Sequence, residues 1–122
     1  MIPLQLNQPI LIISPNFPNP YPTFAYQEWS FTAPPDSIIQ ITVVSHSTEQ
    51  GYDYVNIGSG LDSADRDTLI AIVDGDVLPD TVFVSEANEM WLYFVSDFSF
   101  ELTGFQYRIV ALDTPEEIEV RQ

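Results

Sequence analysis

The chain has 122 residues, of which 18 are acidic and three are arginine, and it has no lysine, so its net charge is −15. A surface of that sign repels nucleic acid and anionic lipid, and it attracts cations and basic protein surfaces. The absence of cysteine excludes disulfides, thiolate metal sites and a cysteine nucleophile. No apolar run is long enough to cross a membrane.

The predicted elements are short β-strands separated by turn residues, and strong helix signals are absent. In chain order the candidate strands are ILIIS, YQEWSFTA, IIQITVVSHS, YDYVNIGSG, TLIAIVDG, TVFVS, MWLYFVSD and FQYRIVAL. The proline-rich segment Pro15–Pro22 fits neither a helix nor an inner strand, so it is predicted to be an extended loop. MWLYFVSD is apolar on both faces and is predicted to be central. About eight strands at ~10-residue spacing predict an all-β, antiparallel β-sandwich or jelly roll of two sheets.

The length predicts one domain. We place it at residues 1–112 and interpret residues 113–122, DTPEEIEVRQ, as an acidic tail or linker. The first residues, MIPLQLNQPI, lack the basic region and the small-residue cleavage site of a signal peptide.

Three acidic residues lie beside predicted strands: Glu49 and Asp53 near YDYVNIGSG, and Asp97 after MWLYFV. Strand alternation puts Asp53 on the same face as Val55 and Ile57, where a lone carboxylate is costly and a metal ligand is natural. If the fold brings them together, the three carboxylates supply the hard oxygen ligands that calcium prefers. The alternative is that they are solvated acids in turns.

The sequence does not favour catalysis. The single histidine, His46, has Ser45 and Ser47 as neighbours, and neighbours on a strand point to opposite faces, which does not form a serine triad. Carboxylate pairs arise by chance in so acidic a chain, and a domain of this size leaves little room for a deep cleft. We therefore predict that the protein is not an enzyme and that His46 is structural or solvated. The remaining acids are interpreted as solvated.

Five segments, in the same order and with the same gaps, resemble the motifs of the CUB domain family. They are SPNFPNPYP, EWSF, TEQGYDYVNIGSG, NEMWLYFVSDFS and GFQYRIVAL, which together run from about Ile13 to Leu112. Members of that family usually carry two disulfides. By motif spacing, Gln27, Gln50 and Asp74 stand roughly where three of those cysteines would be, so this chain is similar to the subset of the family that lacks bridges.

The resemblance implies a calcium site at one end of the sandwich. Its ligands would be Glu49, Asp53, Asp97 and the backbone carbonyl of Ser99. The Tyr21 hydroxyl would support the acidic cluster without contacting the ion. The same resemblance implies that Tyr21, Glu49, Asp53 and Asp97 receive a lysine or arginine side chain of a partner. The implied function is a non-catalytic, calcium-binding module that mediates protein–protein interaction within a larger extracellular protein.

Two other functions stay open from the sequence. A carbohydrate-binding module with structural calcium would use Phe17, Tyr21, Tyr26 and Gln27 as its platform, and an acidic matrix protein would bind many weak cations. Two groups of aromatic residues are expected to meet near the calcium end: those in or just after the proline-rich segment (Phe17, Tyr21, Phe24 and Tyr26) and those that follow Asp97 (Phe98 and Phe100). There they would either form a binding surface or cap the core. The sequence leaves the oligomeric state open.

Overall fold

A computed structural model describes residues 1–98 and 102–113, and it confirms the all-β prediction. The strands are β1 (Ile2–Pro3), β2 (Ile10–Ile13), β3 (Tyr26–Thr32), β4 (Ser37–Ser47), β5 (Tyr54–Ser59), β6 (Leu69–Asp74), β7 (Asp76–Val77), β8 (Val82–Val84), β9 (Glu89–Val95) and β10 (Gly104–Asp113). A single turn of 3₁₀ helix, Arg66–Thr68, lies between β5 and β6. The described residues include no helix that could span a bilayer.

The strands form two sheets that pack face to face. The first sheet has the order β1-β3-β9-β5-β6, and the second has the order β2-β10-β4-β7 with β8 also paired to β4. All pairs are antiparallel except β1 with β3. Alternate residues of each strand face the other sheet, and they form one hydrophobic core. Ile39, Ile41 and Val43, at alternate positions of β4, are fully buried there.

β9 is central, as predicted, because it lies between β3 and β5. Its outward face is also covered. The Trp91 ring lies directly over Gly58, where an added Cβ would be 2.0 Å from the indole, and the indole N–H donates to Thr68 Oγ1 at 3.0 Å. The segment that carries Thr68 therefore packs against Trp91 on the outer face of the first sheet. This contact explains why the large apolar side chain of Trp91 is buried although it points away from the core.

His46 is structural. Its ring stacks near both Phe105 and Tyr107, with centroid distances of 5.8 Å to each. Nδ1 is hydrogen-bonded to the Tyr107 hydroxyl at 2.6 Å and Nε2 to Thr48 Oγ1 at 3.1 Å. Burial lowers the pKa of His46 from 6.5 to about 4, although the carboxylates of Asp74 and Asp76 oppose that shift.

Asp113 pairs with Ser37 at the end of β10. Residues 114–122 lie outside the described part of the chain, so the acidic tail stays a prediction.

The neutral, buried state of His46 should make the domain sensitive to acid. The unfolded chain binds a proton on this residue below about pH 6.5, whereas the folded domain resists protonation until about pH 4. The contribution of neutral His46 to the free energy of unfolding is therefore fully present above pH 6.5 and is lost as the pH falls to 4. The expected decrease in that free energy is ~3 kcal/mol.

Urea unfolding in chelator at each pH measures this loss. Carboxylates also titrate in this range, so the informative quantity is the difference between the protein and His46→Gln. That difference should shrink as the pH falls from 6.5 to 4. A difference that is independent of pH would contradict the assignment.

Candidate metal centre

Three segments that are distant in sequence converge at one end of the sandwich. They are the proline-rich segment with Tyr21, the β4–β5 turn with Glu49 and Asp53, and the turn after β9 with Asp97. One carboxylate oxygen from each of the three acids lies within 4.8 Å of the others. The structure thus brings together the three carboxylates that the sequence singled out. Ser99, the fourth expected ligand, lies outside the described residues.

Asp53 is the centre of this arrangement, and its side chain is completely buried. Its Oδ2 accepts a hydrogen bond of 2.6 Å from the Tyr21 hydroxyl, and its Oδ1 accepts one of 2.7 Å from the backbone N–H of Asp97. Its own N–H donates to the Glu49 carbonyl at 3.0 Å. These bonds fix the carboxylate relative to all three segments, and each of its oxygens keeps a second lone pair.

Tyr21 is buried in spite of lying in an irregular loop. Its ring packs edge-on against Phe94 at a centroid distance of 5.0 Å, and its N–H donates to the Leu102 carbonyl at 3.2 Å. The hydroxyl that donates to Asp53 also accepts from the Glu49 N–H at 3.2 Å. One phenol therefore joins the proline-rich segment to the β4–β5 turn.

Electrostatics at the centre disfavour the ionised form of the Asp53 carboxyl. Burial raises the pKa of Asp53, and the charge of Asp97 adds to that rise, while the hydrogen bonds from Tyr21 and from the Asp97 N–H oppose it. Burial and the neighbouring Asp53 also raise the pKa of Tyr21, which keeps its phenol a proton donor. A cation would favour the ionised carboxylates by supplying the missing positive charge.

The donor set suits calcium. All three side chains offer hard oxygens, and two oxygens that each lie ~2.4 Å from one ion can be up to ~5 Å apart, which accommodates the observed spacing. The cluster contains no nitrogen or sulfur ligand of the kind that zinc prefers.

A recess of about 430 Å³ opens beside Glu49. Its lining comes from the β4–β5 turn and from the turn between β6 and β7, together with one residue before β10: Thr48, Glu49, Gln50, Gly75, Asp76 and Leu102. Asp76 is exposed and accepts a hydrogen bond of 2.8 Å from the Ser47 hydroxyl. Asp76 is one of the acids that the sequence analysis interprets as solvated, and the structure places it on the wall of this recess.

Exposed aromatic side chains surround the same centre. The side chain of Phe24 is 74% exposed, and its N–H donates to the Asp97 carbonyl at 2.9 Å. Its φ of 51° lies in the left-handed region. Phe98 follows Asp97 directly, Tyr52 precedes Asp53, and both are exposed. The expectation that aromatics meet at this end therefore holds for Phe24 and Phe98 as a surface and for Tyr21 as part of the core. Phe100 lies outside the described residues.

The four residues proposed for a sugar platform do not present a common surface. Tyr21 is buried and Phe17 is half-buried, while Tyr26 and Gln27 are exposed neighbours on β3. The Tyr26 ring stacks against Tyr93 at 5.8 Å.

Comparison with known sequences agrees with this architecture. A sequence model of the CUB domain matches residues 5–109. Human procollagen C-endopeptidase enhancer 1 is 33% identical over 113 residues, which cover 87% of this chain and 25% of that protein. Human Tolloid-like protein 1 is 31% identical over 100 residues, which cover 79% of this chain but 10% of its own length. The chain thus spans a small part of these relatives.

Comparison with solved structures gives the same fold. The MASP-1 CUB2 domain, whose crystal structure was determined with bound Ca²⁺, superposes with a TM-score of 0.70. The alignment covers 88% of this chain and 96% of that domain, at 20% sequence identity.

The Tyr21 hydroxyl should contribute to stability through both of its hydrogen bonds. Tyr21→Phe keeps the ring contact with Phe94 but removes the donor to Asp53 and the acceptor for the Glu49 N–H. We expect it to lower the free energy of unfolding by ~1–3 kcal/mol, measured by urea denaturation in chelator. Tyr52→Phe, at an exposed tyrosine of the same turn, is the control, and an equal effect of the two substitutions would refute the role of Tyr21.

Proposed function

The chain belongs to the CUB domain family, and we propose that its acidic end binds one calcium ion and, through that site, a basic side chain of a partner protein. CUB domains are protein-interaction modules of extracellular proteins. The observation that carries the proposal is that the carboxylates of Glu49 and Asp97 lie close to the fully buried carboxylate of Asp53.

Calcium would be held by the three carboxylates, with the Ser99 carbonyl as a further ligand. The ion would offset the repulsion between acids whose oxygens lie within 4.8 Å of one another. In the same step it would tie the β4–β5 turn to the turn after β9, because the ligands come from both. We propose that calcium is in this way a structural cofactor that orders the binding surface, without a catalytic role.

The partner would present a lysine or an arginine. Carboxylates fixed by an ion keep oxygens that accept charge-assisted hydrogen bonds from an ammonium or guanidinium group. The recess beside Glu49 can admit a long side chain, and Asp76 places a further carboxylate on its wall. The exposed aromatics Phe24, Tyr52 and Phe98 would contact the apolar surroundings of that side chain.

The net charge of −15 supports the same choice of partner. A strongly negative molecule attracts a basic surface over distances near the Debye length, which speeds association and makes binding weaker at high salt. A glycan gains nothing from this charge, and the four candidate sugar-binding residues do not share a surface. We therefore propose a basic protein partner, with this domain acting as one extracellular module of a larger protein.

Calcium should raise the thermal stability of the domain, and Asp97→Asn should abolish the rise. At ~100 times its Kd the ion adds ~2.7 kcal/mol, which corresponds to a shift in Tm on the order of 10 °C. The substitution keeps the backbone N–H that donates to Asp53, so the variant should still fold in chelator. Differential scanning calorimetry with calcium and with chelator measures both effects.

Asp67→Asn is the matched control, since it removes one charge from an exposed acid outside the cluster. It should keep the full calcium shift. No calcium shift in the unmodified domain, or an equal loss in both variants, would overturn the proposed site.

A basic side chain should bind only to the calcium-loaded domain. Two short peptides that differ only in a lysine or an acetyl-lysine provide the probe, because acetylation removes the charge without shortening the side chain. We expect the lysine peptide to shift the backbone NMR signals of Gln50, Tyr52 and Phe98, and the shifts to weaken as salt is raised from about 50 to about 500 mM. Equal shifts with both peptides would contradict a charge-based site while leaving calcium binding intact.

A further inference from the structure

The strand β6 forms one edge of the first sheet. It pairs with β5 on one side, and no other strand of the described residues pairs with it on the other side. The backbone N–H and C=O groups along that open side therefore lack a strand partner, and such a row of groups is a template for pairing with another chain. The opposite edge of the sheet differs, because β1 has two residues and ends in Pro3, which has no N–H to donate.

The regular part of the open edge is four residues long. Residues 71–74 pair one to one with residues 54–57, whereas the register shifts at Gly58 and leaves Ile70 as an extra residue of β6. Ala71 packs against the hydrophobic core but is only partly buried, and Ile72 is 54% exposed. Apolar side chains thus lie beside the open backbone groups. β6 contains neither proline nor lysine, the residues that commonly prevent a further strand from pairing.

One end of this edge reaches the acidic site. Asp74 is the last residue of β6, and its Oδ2 accepts a hydrogen bond of 2.6 Å from the Gly51 N–H of the β4–β5 turn. The next two residues, Gly75 and Asp76, line the recess beside Glu49. A chain that continued the first sheet beyond β6 would therefore have one end at the recess.

We propose that the basic partner adds an extended strand to the open edge of β6 and places its lysine or arginine, at one end of that strand, in the recess. The inference rests on the proposed binding of a basic side chain at the acidic site, and it assigns the conformation of the partner around that side chain. An extended backbone is what satisfies a row of unpaired N–H and C=O groups. Alternate residues of a four-residue edge offer about four such hydrogen bonds, half of them donated and half accepted.

Charge favours a basic partner strand over a second copy of this chain. Pairing of two β6 edges would bring together two molecules of charge −15, with Asp74 and Asp76 beside the contact. A basic segment is instead attracted by these carboxylates, and opposite charges on neighbouring strands stabilise a sheet. Alternate side chains of the added strand would contact Ala71 on the core side and Ile72 on the outer side. The partner should therefore carry apolar or β-branched residues beside its basic residue.

Peptides of about nine residues test the arrangement on the calcium-loaded 122-residue chain. The probe peptide has a central lysine with alternating valine and threonine on both sides, so that either direction of the added strand covers the edge of β6. The reference peptide has glycine and serine around the same lysine, because these residues do not favour a strand. We expect the probe to bind at least ~10-fold more tightly than the reference and to slow amide hydrogen exchange at alternate residues of the range 71–74, measured by NMR.

Backbone methylation of the probe separates strand pairing from side-chain contact. A strand pairs with one neighbour through the N–H groups of alternate residues. Two versions of the probe, N-methylated at the two alternate sets of amides, keep the same side chains and charge. Their affinities should differ by at least ~10-fold, because one version loses the pairing donors and the other keeps them. Equal affinities of the two versions would contradict strand addition.

Ile72→Lys should weaken binding of the probe by at least ~5-fold, since it places a positive charge on the edge and removes an apolar contact. Val82→Lys is the matched control, because Val82 is a 46% exposed strand residue of the second sheet and the change in net charge is the same. Circular dichroism checks that both variants are folded, and the calcium shift in Tm should persist in both. Equal weakening by the two substitutions would count against the role of β6.

The outcomes distinguish a failure of strand addition from a failure of the proposed function. If the probe and the reference bind equally and neither slows exchange in β6, strand addition is wrong and lysine binding at the acidic site stands. If neither peptide binds in the presence of calcium, the proposed function is wrong and strand addition falls with it.

Discussion

The burial of the Asp53 carboxylate is the constraint around which one end of the sandwich is organised. A charged group without solvent requires hydrogen bonds, and Asp53 obtains them from the Tyr21 hydroxyl and the Asp97 N–H. Satisfying one side chain therefore holds the proline-rich segment and the turn after β9 against the β4–β5 turn. The same bonds place Glu49 and Asp97 close enough to share a cation. Local stability and the binding site thus have a common origin.

Most of the acidic residues in the described part of the chain lie in the turns between strands. At the end of the sandwich where Glu49, Asp53 and Asp97 converge, the proposed cation and then a basic side chain would neutralise part of this charge. A rise in salt would weaken the proposed association with a basic partner, because screening reduces the attraction between opposite charges.

The chain holds this fold without the disulfides that the family usually carries. Gln50 and Asp74 stand roughly at two of the family's cysteine positions, and the two segments still meet, because Asp74 Oδ2 accepts a hydrogen bond of 2.6 Å from the Gly51 N–H. On the first sheet, Trp91 lies in contact with Gly58 and beneath the segment that ends at Thr68. A hydrogen bond thus joins the turns that carry Gln50 and Asp74, and a tightly packed indole joins β9, β5 and the segment that ends at Thr68.

The sequence by itself missed the two-residue strands β1 and β7, but it determined eight of the ten strands, the central place of β9 and the inward direction of Asp53. It could do so because side-chain alternation is a local property of the backbone. With the family motifs it also singled out the three carboxylates that converge. Only the tertiary structure decided that Asp76 borders the recess and that Tyr52 stands exposed beside the acidic centre. These features arise where the two sheets bring remote turns and strand edges together, and no periodicity within a single segment encodes such contacts.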